Sequence, residues 1–301
     1  MNYDDAKDAL FEGLLARSFE IEESEMTGSE AYYEPAYEGY GSVMPLLEED
    51  DRDILLHREA HFASSFPLMI EAYENEARSA VLDVNVASIR RLMRLEEQLG
   101  KNLAPFILQA DDAKKIAQVR KMYQLLADAF ENGTNNELKA IADAILSEDE
   151  DIEEIAKRTA LHGPQIVASL ITIIENDLLY DPLWPGYGQA PCIAALTLGH
   201  LQIVSAIPAL FSMLQDDSFD VQNASLRALC MLQEPAKKFC IAQLHSRPIS
   251  RNNELAALAL CSFPCDEDII QAVSKELASS DVKKHEMLMS YLEACKEEFP
   301  K

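Results

Sequence analysis

Two histidines stand one helical turn apart in His57-x-x-x-His61, with Glu59 between them. On a helix this spacing puts both imidazoles on one face, where they could share a metal ion. Arg58 occupies the place where a His-Glu-x-x-His hydrolytic motif needs its glutamate, and no further ligand set accompanies the pair. The expectation is an exposed helix face. His285-Glu286 is a lone pair that would leave a metal under-coordinated. His162, His200 and His245 fall at helix ends or turns, where imidazole caps carbonyls. Cys261-x-x-x-Cys265 has the spacing of a thiolate or redox pair, but Pro264 and the surrounding apolar register favour packing. No Ser/His/Asp or Cys/His arrangement and no glycine-rich phosphate loop stands out. The sequence therefore assigns no catalytic, cofactor-binding or metal-binding residue, no cofactor is expected, and the protein is read as a non-enzyme.

The remaining candidates are aromatic. Tyr32, Tyr33, Tyr37 and Tyr40 lie among acids in Glu30-Ala31-Tyr32-Tyr33-Glu34-Pro35-Ala36-Tyr37-Glu38-Gly39-Tyr40. Phosphorylation there would add charge for an Arg-rich partner. Local packing on a helical body and folding back over the rest of the chain are the other readings. Glu34-Pro35-Ala36-Tyr37 resembles the EPIYA motif of secreted bacterial effectors, with Ala36 for isoleucine and Glu38 for alanine. Trp184 and Tyr187 sit in the turn Asp181–Gly188, either as exposed anchors for a partner or as packing groups.

Helices must carry these residues. Across 301 residues there are only ten glycines, none after Gly199, and thirteen prolines. Both residues weaken helix interiors. Runs of alternating β-branched residues are missing, so the fold class is all-α. The net charge is −26. It opposes nucleic-acid binding, which needs clustered Lys and Arg, and opposes an anionic membrane surface. It favours a basic protein or peptide. The six cysteines lie between Cys192 and Cys295 without a CxxC pair, as expected for reduced thiols in a cytoplasmic protein. The N-terminus lacks a signal peptide's basic start, and the most apolar stretch, 166–174, is half a membrane span.

Residues 1–50 form an acidic N-terminal segment. A helix is expected over 4–19, through Ala9, Leu10, Leu14, Leu15 and Phe19, then an aperiodic Tyr/Glu-rich stretch. Residues 1–53 hold half of the net charge. A helical region follows over 51–146. Pro67 breaks it, Gly100 caps one helix, Asp111 or Asp112 opens the next, and Thr134 with Glu137 forms a capping box. Residues 147–301 are read as a repeat region, whose acidic run 148–154 suits a helix N-terminus.

The last third repeats every 31 residues. Leu198-Gly199-x-Leu201 returns as Leu229-Cys230-x-Leu232 and as Leu260-Cys261-x-Phe263, each led three residues earlier by Ala195, Leu226 or Ala257. Such a period marks stacked helical hairpins that bury their apolar faces only against neighbours. The segment from Asp181-Pro182-Leu183-Trp184-Pro185 through Ala194-Ala195-x-x-Leu198-Gly199-x-Leu201, Ile207-Pro208-Ala209-Leu210 and Leu214 to Asp216-Asp217 resembles a HEAT repeat. The likeness is to the short bacterial type of phycobilisome-lyase-like HEAT proteins, and it covers about 149–298. It implies an α-solenoid with second helices near 164–178, 203–215, 235–246 and 266–279 on a concave face. The function expected is a protein-binding scaffold. The alternatives are an interaction protein acting through the tyrosine-rich segment and, more distantly, an enzyme or cofactor lyase on a HEAT-like frame.

Overall fold

The computed structural model describes residues 9–20, 48, 50–74, 84–148, 150–297 and 299, and every regular element among them is helical. Two compact units share the chain. The first takes 1–150 and 177–188, the second 151–176 and 189–301. The turn 181–188, which opens the HEAT-like segment of the sequence, thus belongs with 177–180 to the first unit. Its Trp184 and Tyr187 rings are buried there, as described below.

The first unit contains α1 (Ala9–Phe19), α2 (Asp51–His61), α3 (Phe66–Glu74), α4 (Val86–Leu99), α5 (Ala104–Ile107), α6 (Ala110–Glu131) and α7 (Asn136–Leu146). Helix α1 packs on α6 through Phe11, Leu14 and Leu15, so this part of the acidic segment is integral to the unit. Helix α2 packs on α4, α5 and α6. Ile54, Leu55, Phe66, Met69, Ile89 and Leu92 are at the heart of that core. Pro67 sits in the first turn of α3, where its missing N–H costs nothing. Gly100 closes α4 at φ 63°. Two expected caps are different. Asn135, not Thr134, caps α7, its carbonyl accepting from the Glu137 and Leu138 amides. Gln109 begins α6, and Asp112 reaches back to accept from its N–H.

The second unit contains α8 (Ile152–Ala160), α9 (Val167–Glu175), α10 (Ala190–His200), α11 (Ile207–Ser212), α12 (Phe219–Met231), α13 (Glu234–Leu244), α14 (Arg251–Ser262), α15 (Glu267–Leu277) and α16 (Glu286–Glu297). Asp151 caps α8 by accepting from the Glu153 and Glu154 amides. The even-numbered helices α8, α10, α12, α14 and α16 pack each on the next. The odd-numbered helices fill in beside them, α9 against α10 and α11, and α13 against α14 and α15.

The 31-residue register coincides with these contacts. Leu198, Leu229 and Leu260 are all buried. A Cβ at Gly199 would stand 2.9 Å from Met231 Sδ and 3.1 Å from Ala228 Cα, so the bare backbone admits α12 closely. At the equivalent positions the thiols donate onward: Cys230 Sγ to Ser262 O at 3.2 Å and Cys261 Sγ to Tyr291 O at 3.4 Å. Gln202 and Gln233, also 31 apart, both turn left-handed after their helices, at φ 56° and 52°. The third equivalent is Pro264, whose ring forbids that conformation, and α14 instead leaves through an extended Phe263.

Candidate functional site

Helix α2 carries more buried polarity than its sequence suggests. Asp51, His57, Arg58 and Glu59 are all buried on it. Arg58 is fully enclosed. Its guanidinium donates to Glu59 Oε1 at 2.7 Å and Asn102 Oδ1 at 2.8 Å, pairs with Glu96 at 2.9 Å, and lies 4.2 Å over the Phe66 ring. Arg120 from α6 donates to Glu59 O. A buried charge needs this many partners, because desolvation otherwise exceeds the attraction.

The histidine pair is not on an exposed face: His57 is buried and His61 half-buried. His57 is 3% exposed, and its ring centroid lies 4.3 Å from that of His61. The reason is tertiary: the turn 177–188, more than a hundred residues away in sequence, covers them. His61 Nε2 lies 2.8 Å from Leu183 O, and Nδ1 lies 2.9 Å from Tyr123 Oη. Tyr123 in turn meets Glu148 Oε1 at 2.5 Å, and the Gly186 amide donates to the same oxygen at 2.9 Å.

Trp184 and Tyr187, candidates for exposed anchors, are 2% and 5% exposed. Tyr187 stacks on His61 with centroids 4.7 Å apart, and Trp184 lies 5.7 Å from Phe19 of α1. The turn adopts positive φ at Gly186, Tyr187 and Gly188 in succession. A Cβ at Gly188 would come within 2.7 Å of Tyr180 O, so only glycine fits. For Tyr187 the left-handed conformation costs about 1–2 kcal/mol, offset by ring burial. Ala63 and Ser64, just after α2, are also left-handed, at φ 47° and 63°. Backbone strain therefore gathers on both sides of the histidines. Tyr32, Tyr33, Tyr37 and Tyr40 lie outside the described residues.

Two of the other histidines, His200 and His245, pair with carboxylates instead of capping carbonyls. His200 Nε2 stands 3.0 Å from Glu153 Oε1, and His245 Nδ1 stands 2.6 Å from Glu276 Oε1. Arg247 donates to the other oxygen of the buried Glu276 at 2.6 Å. Cys261 donates to backbone carbonyls, in keeping with packing. Burial pushes the Cys192 and Cys240 thiols up to about 12 and Cys230 to about 11, so all three stay protonated at neutral pH.

Among the described residues, Glu234, Asp266 and Asp268 converge closely enough to hold a metal ion. Lys237 Nζ already stands among them, at 2.6, 2.5 and 3.3 Å. Its hydrogen bonds hold the Asp266 and Glu234 carboxyls below their usual range, and that to Asp266 leads in raising the lysine. The arrangement ties α13 to α15 by an internal cation. No described helix is long and apolar enough to cross a membrane.

Comparisons with family models, curated proteins and solved structures return no match.

Proposed function

We propose that the protein is a non-enzymatic, cytoplasmic scaffold whose second unit is a HEAT-type α-solenoid that holds a basic protein or peptide. The observation that supports this reading is the recurrence of one contact scheme at 31-residue intervals, through Gly199, Cys230 and Cys261. Units that repeat their neighbour contacts build an extended row of helices, and such rows serve as binding surfaces. The face assigned to the partner is that of α9, α11, α13 and α15. Half-buried Ile171 and Phe239 and exposed Lys238 lie on those helices. The chain's charge of −26 would act at longer range, by drawing in a basic partner.

The test is capture of partners from native lysate by the immobilised full chain, at low and at high salt. Two variants run beside it. One is Ile171→Lys. The other replaces Tyr32, Tyr33, Tyr37 and Tyr40 by Phe, in preference to deleting the N-terminus, because deletion would remove the packed helix α1. Capture that is salt-sensitive, weakened by Ile171→Lys and indifferent to the tyrosine changes supports the scaffold. Loss on the tyrosine changes alone would transfer the function to the N-terminal segment. Capture indifferent to both variants would remove the assigned face.

A further inference from the structure

One cavity of the first unit has both a cation and an anion on its walls. Helix α1 lines it with Gly13, Leu14 and Arg17, which share a face at helical spacing, and α6 lines it with Leu125 and Asp128. Thr134, Asn135 and Leu138, at the start of α7, complete the wall, and the space measures about 410 Å³. That volume falls at the small end of the range for ligand pockets. Gly13 is the informative residue. It stands inside α1, where glycine is a poor helix former, yet a Cβ built on it meets no atom of the described residues within 4 Å. Packing therefore does not call for glycine here, since alanine would fit and would hold the helix better. What the missing side chain provides is room in the cavity.

The polar groups on the walls are of two kinds. Arg17 and Asp128 are both exposed, and among the described residues no ion pair joins them. Asp128 accepts from Asn132 Nδ2 on one oxygen at 3.0 Å and keeps the other for a further donor. Asn135 Oδ1 is engaged by the Glu137 and Leu138 amides, so what that side chain has left to give is its NH2. Thr134 adds a hydroxyl. The cavity thus combines a guanidinium and neutral donors, one carboxylate, and the apolar surface of three leucines.

We propose that this cavity binds a small zwitterion with an apolar side chain, the chemistry of a free amino acid or dipeptide such as leucine or leucyl-leucine. Arg17 takes the carboxylate, assisted by Thr134 and Asn135, in the planar fork geometry that a guanidinium offers a carboxylate. Asp128 takes the ammonium group. The leucines and the space before Gly13 take the apolar side chain. Charge decides between this ligand and its simpler relatives. A plain carboxylate would approach against the chain's net charge of −26 and leave Asp128 unmatched. A plain amine would leave Arg17 unmatched. A zwitterion carries no net charge and meets both groups.

The test is titration calorimetry of the full chain with leucine, leucyl-leucine, hexanoate and hexylamine, each at millimolar concentration. Wild type is expected to bind leucine or leucyl-leucine at one site, and hexanoate and hexylamine about tenfold more weakly or worse. Which of the two zwitterions binds fixes the length of the ligand. Gly13→Leu fills the cavity, so its binding heat should vanish while its melting temperature holds or rises. Arg17→Gln and Asp128→Asn, both at exposed positions, should each weaken binding about tenfold with an unchanged circular dichroism spectrum. Failure of wild type to bind either zwitterion would overturn the proposal. So would undiminished binding by Gly13→Leu, or hexanoate held as tightly as the zwitterions and indifferent to Asp128→Asn. A lowered melting temperature in Gly13→Leu would mean that the chain itself fills the space, which also overturns it.

Discussion

Lys237 Nζ and Asp266 Oδ2 lie 2.5 Å apart, joining α13 to the residue that caps α15. The same carboxylate group accepts from the Ile269 amide, so one aspartate serves a helix N-terminus and an interhelical ion pair at once. Lys237→Met should cost about 1 kcal/mol. The lysine is nearly buried, but its three acidic partners are half exposed, which keeps the pair toward the weak end of the range. The pH dependence has a definite sign. The Lys237 pKa is raised, so its contribution is present below the unfolded value near 10.4 and fades as pH climbs through the folded one. The Asp266 pKa is lowered, so its contribution is present above the unfolded value near 3.9 and fades as pH falls through the folded one. Urea melts of wild type and Lys237→Met should differ by a constant amount from about pH 5 to 9 and converge in acid.

Arg58→Ala should be among the most damaging single changes in the first unit. It takes their shared cation from Glu96 and from one oxygen of Glu59, which keeps only the looser pair with Arg120 at 3.6 Å, a loss of about 3–5 kcal/mol. Thermal melts followed by circular dichroism would measure it. A loss below about 1 kcal/mol would mean that water reaches the pair.

Leu229→Ala and Gly199→Val test the 31-residue register from opposite directions. Leu229 is fully buried, and its truncation should cost about 2–5 kcal/mol. Valine at Gly199 gains about 0.5 kcal/mol of helix propensity. It must also displace Met231 and press on the Ala228 backbone, which costs about 1–3 kcal/mol and wins. Chemical denaturation of each variant checks both signs.

Trp184→Ala should destabilise the first unit by about 3–5 kcal/mol, as for a buried aromatic. Under the scaffold reading it leaves partner capture intact at temperatures where the variant is folded. Capture lost without loss of stability would restore Trp184 as a binding anchor.

The all-helical class and much of the second unit were legible because their signals are local. Asp151 begins α8 from within the acidic run 148–154, and Gly163-Pro164 turns the chain where expected. The Gly199/Cys230/Cys261 series is visible in sequence because only small side chains fit where one helix crosses the next. Helix α2 was misread for the converse reason. Asp-Arg-Asp-Ile-Leu-Leu-His-Arg-Glu-Ala-His has the composition of a solvated surface helix, and nothing nearby in sequence says that Leu183 and Tyr187 will cover its histidines. Gln109 and Asn135 displaced the expected caps by one or two positions, because several adjacent polar residues could each have reached the same amides.

The placement of the sulfur atoms makes the chain its own two-channel reporter. All six cysteines belong to the second unit, and the single tryptophan belongs to the first. Cys192, Cys240 and Cys295 are buried, and the elevated pKa of Cys192 and Cys240 keeps them sluggish toward alkylating reagents while the fold is closed. Pulsed thiol labelling would time the opening of one unit while tryptophan emission times the other, in the same tube and without an added dye. Separate half-lives on the two channels would mean that the units yield independently, and one shared half-life would mean that they yield as a single cooperative body.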